Sequence, residues 1–316
     1  MVLIDHVIGF PPLGDAEALI SHFAAAKFKV YDRVIPHAGG VVSRFILLND
    51  TYIEISSVES EDEFKKYFGA GEKIARTQAA IYALSLATID ANATYGKLKS
   101  RVAETPVPQV HLVANKDGEK PGWSVIEVPT DKTPGAKVYA VEYLQERENR
   151  ILGGVADNGV IGLAGVCFAS HQPVGSAMRW ASLLQDIGSV KVAGSCEIRV
   201  DDQVLFWIDP RTTHVDRSGA TDGILGIVLS SADISKSKSA LSSAGFSFIA
   251  EDDELLFGSF PKSPNWRLII ADERALFLTA TIRSKFLALL KAASPKSSLG
   301  LNPSSSGENT KLAYDS

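Results

Sequence analysis

Two cysteines in 316 residues exclude a disulfide framework, and with no Cys-x-x-Cys pair they also exclude the common zinc and thiol-redox motifs. Cys167 and Cys196 each fall inside a strand-like run and read as buried free thiols. A chain of this kind is expected in a reducing, cytoplasmic compartment. No apolar run approaches the roughly 20 residues that a helix needs to cross a bilayer. The first residues, Met1 to His6, are too short and too acidic for a secretory signal. Lys and Arg are scattered and the formal net charge is −5, so neither nucleic acid nor a membrane is an expected partner. The phosphate-cradling patterns G-x-G-x-x-G and G-x-x-x-x-G-K-[ST] are missing, as is the G-x-S-x-G of serine hydrolases.

What is present is apolar and periodic. With 45% hydrophobic residues the chain can bury two ordinary domains or one pseudo-symmetric double domain. One order of elements recurs four times: strand, helix, strand, strand, strand. The first copy covers about residues 3–58, with a helix over 15–26 and strands over 27–32 and 41–49 before the last strand at 51–56. The second opens at 80–88, starts its helix near Asp90 and places strands at 109–114, 123–128 and 138–144. The third opens at 162–170, with strands at 190–193, 195–200 and 204–208. In the fourth, which opens at 223–230, Asp233 caps a short helix and strands follow near 246–250, 254–257 and 266–270. A connecting helix is expected over 61–77 and a closing helix over 282–292. The expected organisation is α+β: four βαβββ units paired into two curved half-barrel domains, residues 1–150 and 156–292. The Ser-, Pro- and Asn-rich stretch 294–316 reads as a flexible tail.

Side chains alternate faces along a strand. His6 is therefore expected on a face with Ile4, Ile8 and Phe10, and Glu54 on a face with Tyr52 and Ser56. A mid-strand histidine is often only a core residue with one hydrogen bond. A carboxylate between Ile53 and Ile55 is harder to explain, because burying it unpaired is costly and raises its pKa unless a cation offsets the desolvation. Glu142 shares a face with Val138, Ala140 and Leu144, and its bland alternative is a rim charge. His37, between Pro36 and Gly39-Gly40, is expected on a tight loop that could deliver it to a cleft mouth as ligand or general base. His22 reads as solvent-facing, while His111, His171 and His214 have no sequence neighbour that suggests chemistry.

The stretches Ile4-Asp5-His6-Val7, Pro36-His37-Ala38-Gly39-Gly40, Asn49-Asp50-Thr51-Tyr52-Ile53-Glu54-Ile55, Pro121-Gly122-Trp123 and Tyr139-Ala140-Val141-Glu142-Tyr143 resemble the glyoxalase-like branch of the vicinal oxygen chelate superfamily. The element order carries the resemblance over about 3–272, and the specific stretches lie within 3–145. It implies that two units curve around one cleft, where a divalent metal (zinc, nickel, manganese or iron) is held by the first and last strands of each unit. Carried over, the metal ligands are His6, Glu54 and Glu142. The fourth corner falls at Tyr82, which leaves three ligands plus water, or recruits His37. In the third and fourth units the matching positions are Gly165, Gly226, Trp207 and Arg267, which implies a structural or substrate-shaping duplicate.

The resemblance implies a metal-dependent lyase or isomerase acting on a small oxygenated substrate. The ion would chelate two vicinal oxygens while Glu54, Glu142 or His37 moves the proton. An iron-dependent ring-cleaving dioxygenase is an alternative, but it needs a second histidine where Tyr82 stands. From a different class comes a metal-free protein that sequesters a small hydrophobic compound in a pocket lined by Phe10, Tyr52, Tyr82 and Trp123. The expected partner is a small molecule, and the expected assembly a monomer or homodimer.

Overall fold

A computed structural model describes residues 3–11, 15–68, 81–115, 118–145, 154, 156–185, 190–212, 222–260, 263–278 and 282–293. The first unit comprises β1 (Leu3–Gly9), α1 (Ala16–Ala25), β2 (Lys29–Val30), β3 (Ile35–His37), β4 (Val41–Leu47) and β5 (Tyr52–Val58), and α2 (Glu61–Phe68) follows it. The second comprises β6 (Ile81–Ala87), α3 (Ala91–Arg101), β7 (Gln109–Asn115), β8 (Gly118–Val128) and β9 (Lys137–Tyr143). In the third are β10 (Val160–Ala169), α4 (Pro173–Leu184), β11 (Val190–Gly194), β12 (Glu197–Val200) and β13 (Gln203–Ile208). The fourth holds β14 (Gly223–Ser231), α5 (Ile234–Ser243), β15 (Ser247–Glu251), β16 (Leu255–Phe260) and β17 (Ser263–Asp272), and α6 (Glu273–Leu278) and α7 (Ile282–Ala293) close the described chain.

The four units pair as two sheets with one topology. The first is nine-stranded, in the order β2-β4-β5-β1-β6-β9-β8-β7 with β3 added on β4; the second is eight-stranded, in the order β11-β12-β13-β10-β14-β17-β16-β15. In each, the opening strands of two units meet antiparallel at the centre, β1 on β6 and β10 on β14, and each runs parallel to the last strand of its own unit. The architecture is the expected α+β pairing of βαβββ units. Helix starts follow from capping: the side chains of Asp90 and Asp233 accept from Ala93 N and Lys236 N, both at 2.9 Å.

Four of the helices, α1, α3, α4 and α5, lie between the sheets. One apolar cluster joins Ile53 and Leu84 of the first sheet and Val166 and Leu268 of the second to Phe23, Leu98, Trp180 and Leu241 on α1, α3, α4 and α5. Polar bonds cross the same seam. The buried Gln203 carboxamide accepts from Ile4 N at 2.5 Å and donates to the carbonyls of Ile4 and Leu163 at 2.9 and 3.0 Å. Trp180 Nε1 donates to Pro134 O at 3.1 Å. His22 is not solvent-facing as expected; it stacks on Phe260 and donates to Ala244 O at 3.3 Å, because α1 packs toward the other half.

The opposite face of the second sheet is filled by the chain itself. Phe286 of α7 meets Phe206 and Phe257 edge-on, at 5.8 and 4.9 Å between ring centroids, among Cys167, Val228 and Ile269. Both cysteines are free and buried, and burial pushes the Cys167 thiol well above its usual range. Gly165, at one of the matching first-strand positions, has φ +156°, and a Cβ there would lie 1.9 Å from Val204 O. That position is set by backbone approach between β10 and β13, not by chemistry. On the first sheet the corresponding face is covered at one end by α2, whose Phe64 packs on Phe10 and Val41. None of the described helices is long and apolar enough to cross a membrane. Residues 69–77 of the expected connecting helix and the expected tail 294–316 lie outside the described residues.

Candidate functional site

A bulge at the centre of the first sheet builds the site. Ile4 pairs with Leu86 and the next paired residue, His6, with Ser85, so Asp5 is an extra residue on β1. Ile4 and Val7 consequently both enter the helix-side core. His6 faces the other, concave side with Ile8 and Phe10 but without Ile4, a departure from strict alternation. Asp5 turns to the same side. On β5 alternation holds: Ile53 and Ile55 are in the core, while Tyr52, Glu54 and Ser56 line the concave face.

The polar centre is compact. His6 Nε2 lies 3.6 Å from Glu54 Oε2, and His37 Nε2 lies 3.8 Å from Glu54 Oε1. Ser43 and Ser56 donate to Glu54 Oε1 at 2.6 and 3.1 Å. His6 Nδ1 is 2.6 Å from Asp5 Oδ2, and the ring stacks on Tyr52 with centroids 4.3 Å apart and planes at 14°. Tyr143 donates to the same Asp5 oxygen at 2.5 Å and sits 3.0 Å from the Tyr52 hydroxyl. Burial, together with the charges of Asp5 and Glu54, holds the Tyr52 phenol well above its ordinary pKa, so it stays protonated.

His37 is not on a loop. It ends β3, which pairs antiparallel with β4 through His37↔Val41, and the intervening Gly39 and Gly40 take φ of 74° and 65° to close the hairpin. This extra strand carries His37 toward Glu54. Glu142 goes elsewhere. It follows Val138 and Ala140 onto the helix side of β9, where Oε2 accepts from Ala91 N at 2.9 Å at the start of α3. The structure therefore does not bring Glu142 to His6 and Glu54.

Tyr82 does not occupy the fourth corner either. Antiparallel pairing puts Ser85 opposite His6, and Tyr82 packs edge-on against Phe10 at 5.3 Å, at the end covered by α2. The Ser85 hydroxyl is buried and has no hydrogen-bond partner among the described residues. Trp123 pairs with His111 on one side and Tyr143 on the other. It stacks on His111 at 5.7 Å, so a row of rings runs from the edge strand toward Asp5. His111 is held below the ordinary histidine pKa, first by burial and then by the nearby charge of His37.

Four participants were not anticipated from the sequence: Asp5, Tyr143, Ser43 and His111. Tyr143 was accessible in principle, since alternation on β9 makes it the opposite of Glu142. Asp5 was not, because only the bulge turns it inward. Among the described residues no three His, Cys, Asp or Glu side chains are gathered closely enough to hold an ion as they stand. An ion would have to draw His6, Glu54 and His37 together.

A family model described as Glyoxalase-like domain matches residues 4–184, more than half of the chain. Among solved structures, a hypothetical protein from Staphylococcus aureus is similar with a TM-score of 0.60 at 13% identity, covering 86% of this chain and 99% of that one. A substituted variant of 4-hydroxymandelate synthase from Streptomyces coelicolor matches with a TM-score of 0.54 at 13% identity, covering 92% and 98%. A fusion of a xylose isomerase-like TIM barrel with 4-hydroxyphenylpyruvate dioxygenase matches with a TM-score of 0.57 at 13% identity; 92% of this chain is covered and 51% of that chain. At that identity the likeness is one of fold. No curated protein matches in sequence.

Proposed function

The chain belongs to the Glyoxalase-like domain family, and from that premise we propose that the concave face of the first sheet is the active site of a metal-dependent lyase or isomerase acting on a small oxygenated molecule. The observation that carries this reading is the placing of two imidazole Nε2 atoms at 3.6 and 3.8 Å from the oxygens of one nearly buried carboxylate. Those donors suit a divalent ion: two imidazole nitrogens and a carboxylate, with room for water or substrate oxygens. The partners of Glu54 among the described residues are imidazoles and hydroxyls, not a lysine or arginine. His6, Glu54 and His37 would hold the ion. When bound, it would act as a Lewis acid on the substrate oxygens and stabilise the negative charge that develops there.

The protein's own groups supply the rest. The two serine hydroxyls fix Glu54 Oε1 and leave Oε2, beside His6, as the atom able to take a proton from a substrate carbon. Trp123, on the same face, offers a ring surface against which a small organic molecule can rest. The approach of His37 also favours a second reading, a ring-cleaving dioxygenase, since two histidines and a carboxylate form the donor set of non-haem iron sites.

Metal analysis of the purified protein tests the proposal. His6→Ala and Glu54→Gln are each expected to reduce bound metal and activity at least about tenfold, with folding retained. Stoichiometric metal in the double variant would place the ion elsewhere. Metal-free protein that still binds a hydrophobic compound would support sequestration instead.

A further inference from the structure

The concave face carries a chain of bonds whose proton directions are fixed by its ends. The Asp5 carboxyl oxygen Oδ2 is an acceptor, as the bond from the Tyr143 hydroxyl shows. It therefore takes one proton from His6 Nδ1 at 2.6 Å and one from the Tyr143 hydroxyl at 2.5 Å. Tyr143 has then used its only proton, so at 3.0 Å its oxygen must accept from the Tyr52 hydroxyl. With His6 Nδ1 turned to Asp5, the other ring nitrogen, Nε2, faces Glu54 and lies 3.6 Å from its Oε2. Tyr52 also lies parallel to that ring at 4.3 Å and limits its tilt. Asp5 and Tyr52 come from unit one and Tyr143 from the last strand of unit two, so the bond to Asp5 reaches across the central β1–β6 pair.

We infer that Tyr143 and Tyr52 are positioning residues for His6: acting through Asp5 and by ring stacking, they hold its imidazole as the Nδ1–H tautomer with Nε2 turned to Glu54. Unit two thus contributes to the centre through Tyr143, in place of the carboxylate expected at Glu142. The tautomer does not depend on metal. Only its consequence for metal affinity rests on the proposed function.

The test uses full-length protein labelled with 15N-histidine and freed of metal. Long-range 1H–15N spectra at pH 8 are expected to show His6 with Nδ1 protonated and Nε2 bare. Tyr143→Phe, which keeps the ring, should give a mixture of tautomers at His6 while the thermal midpoint stays close to that of the wild type. Tyr52→Phe should produce a smaller change in the same direction. In a second arm, zinc titration should show the affinity of Tyr143→Phe lowered about tenfold. A protonated Nε2 in the wild type, or tautomer populations unchanged in Tyr143→Phe, would overturn the inference. Zinc held equally tightly by wild type and Tyr143→Phe while the tautomer shifts would overturn the consequence for metal affinity alone. If the wild type binds no zinc but the tautomer shifts as described, the positioning role stands and the metal reading falls.

Discussion

Chemistry in this chain is decided by which way single side chains point. Glu54 could be placed from the sequence because β5 is regular and its apolar neighbours fix the face. Glu142 was assigned to the right strand and to the right company, Val138 and Ala140, but that company is the helix-side core. Its carboxylate instead accepts from Ala91 N, an N–H of the first turn of α3 that has no partner within the helix. Glu142→Ala is accordingly expected to cost about 1–2 kcal/mol in chemical denaturation and to leave metal affinity unchanged. Tyr52 makes a second prediction. Its pKa is raised from 10.0 in the folded state, so above pH 10 the unfolded chain releases a proton that the folded chain keeps. The stability contributed by this group is present below pH 10 and is lost as pH rises beyond it. The pH dependence of denaturation midpoints, compared between wild type and Tyr52→Phe, checks this: the wild type should lose more stability between pH 9 and pH 11.

At the scale of elements, the repeated strand–helix–strand–strand–strand order was legible because strand alternation and helix caps are local signals. Two features were not. The bulge at Asp5 arises from the pairing of β1 with β6, a contact between distant segments, and it alone brings Asp5 and His6 to one face. The strand β3 looked like a loop because Pro36 and two glycines surround His37, yet those glycines are what let the hairpin close. The closing helix was expected over 282–292, but its role was not. It fills the face of the second sheet that corresponds to the candidate site on the first. Phe286→Ala is expected to cost about 3–5 kcal/mol, measured by chemical denaturation. Truncation ahead of Ile282 should expose that apolar face and yield aggregated protein, whereas truncation after Ala293 should leave the melting temperature nearly unchanged.

For the whole molecule, fourfold recurrence predicted two similar halves but not how they meet. The sheets share one core through their helices, and Gln203 of the second half binds the backbone of Ile4, two residues from His6. The second half thus supports the strand that carries the candidate site. Residues 1–150 expressed alone are expected to be insoluble or to lack a cooperative unfolding transition, since their helices would lose the apolar surface of the second sheet. A soluble, cooperatively folding fragment would show that the seam is dispensable. The central claim is that the concave face of the first sheet holds a divalent ion among His6, Glu54 and His37. An anomalous-difference map from crystals of the full chain loaded with cobalt tests it most directly. A peak bonded to His6 Nε2, His37 Nε2 and a Glu54 oxygen is the expected result; a peak elsewhere, or none at saturating cobalt, would contradict it.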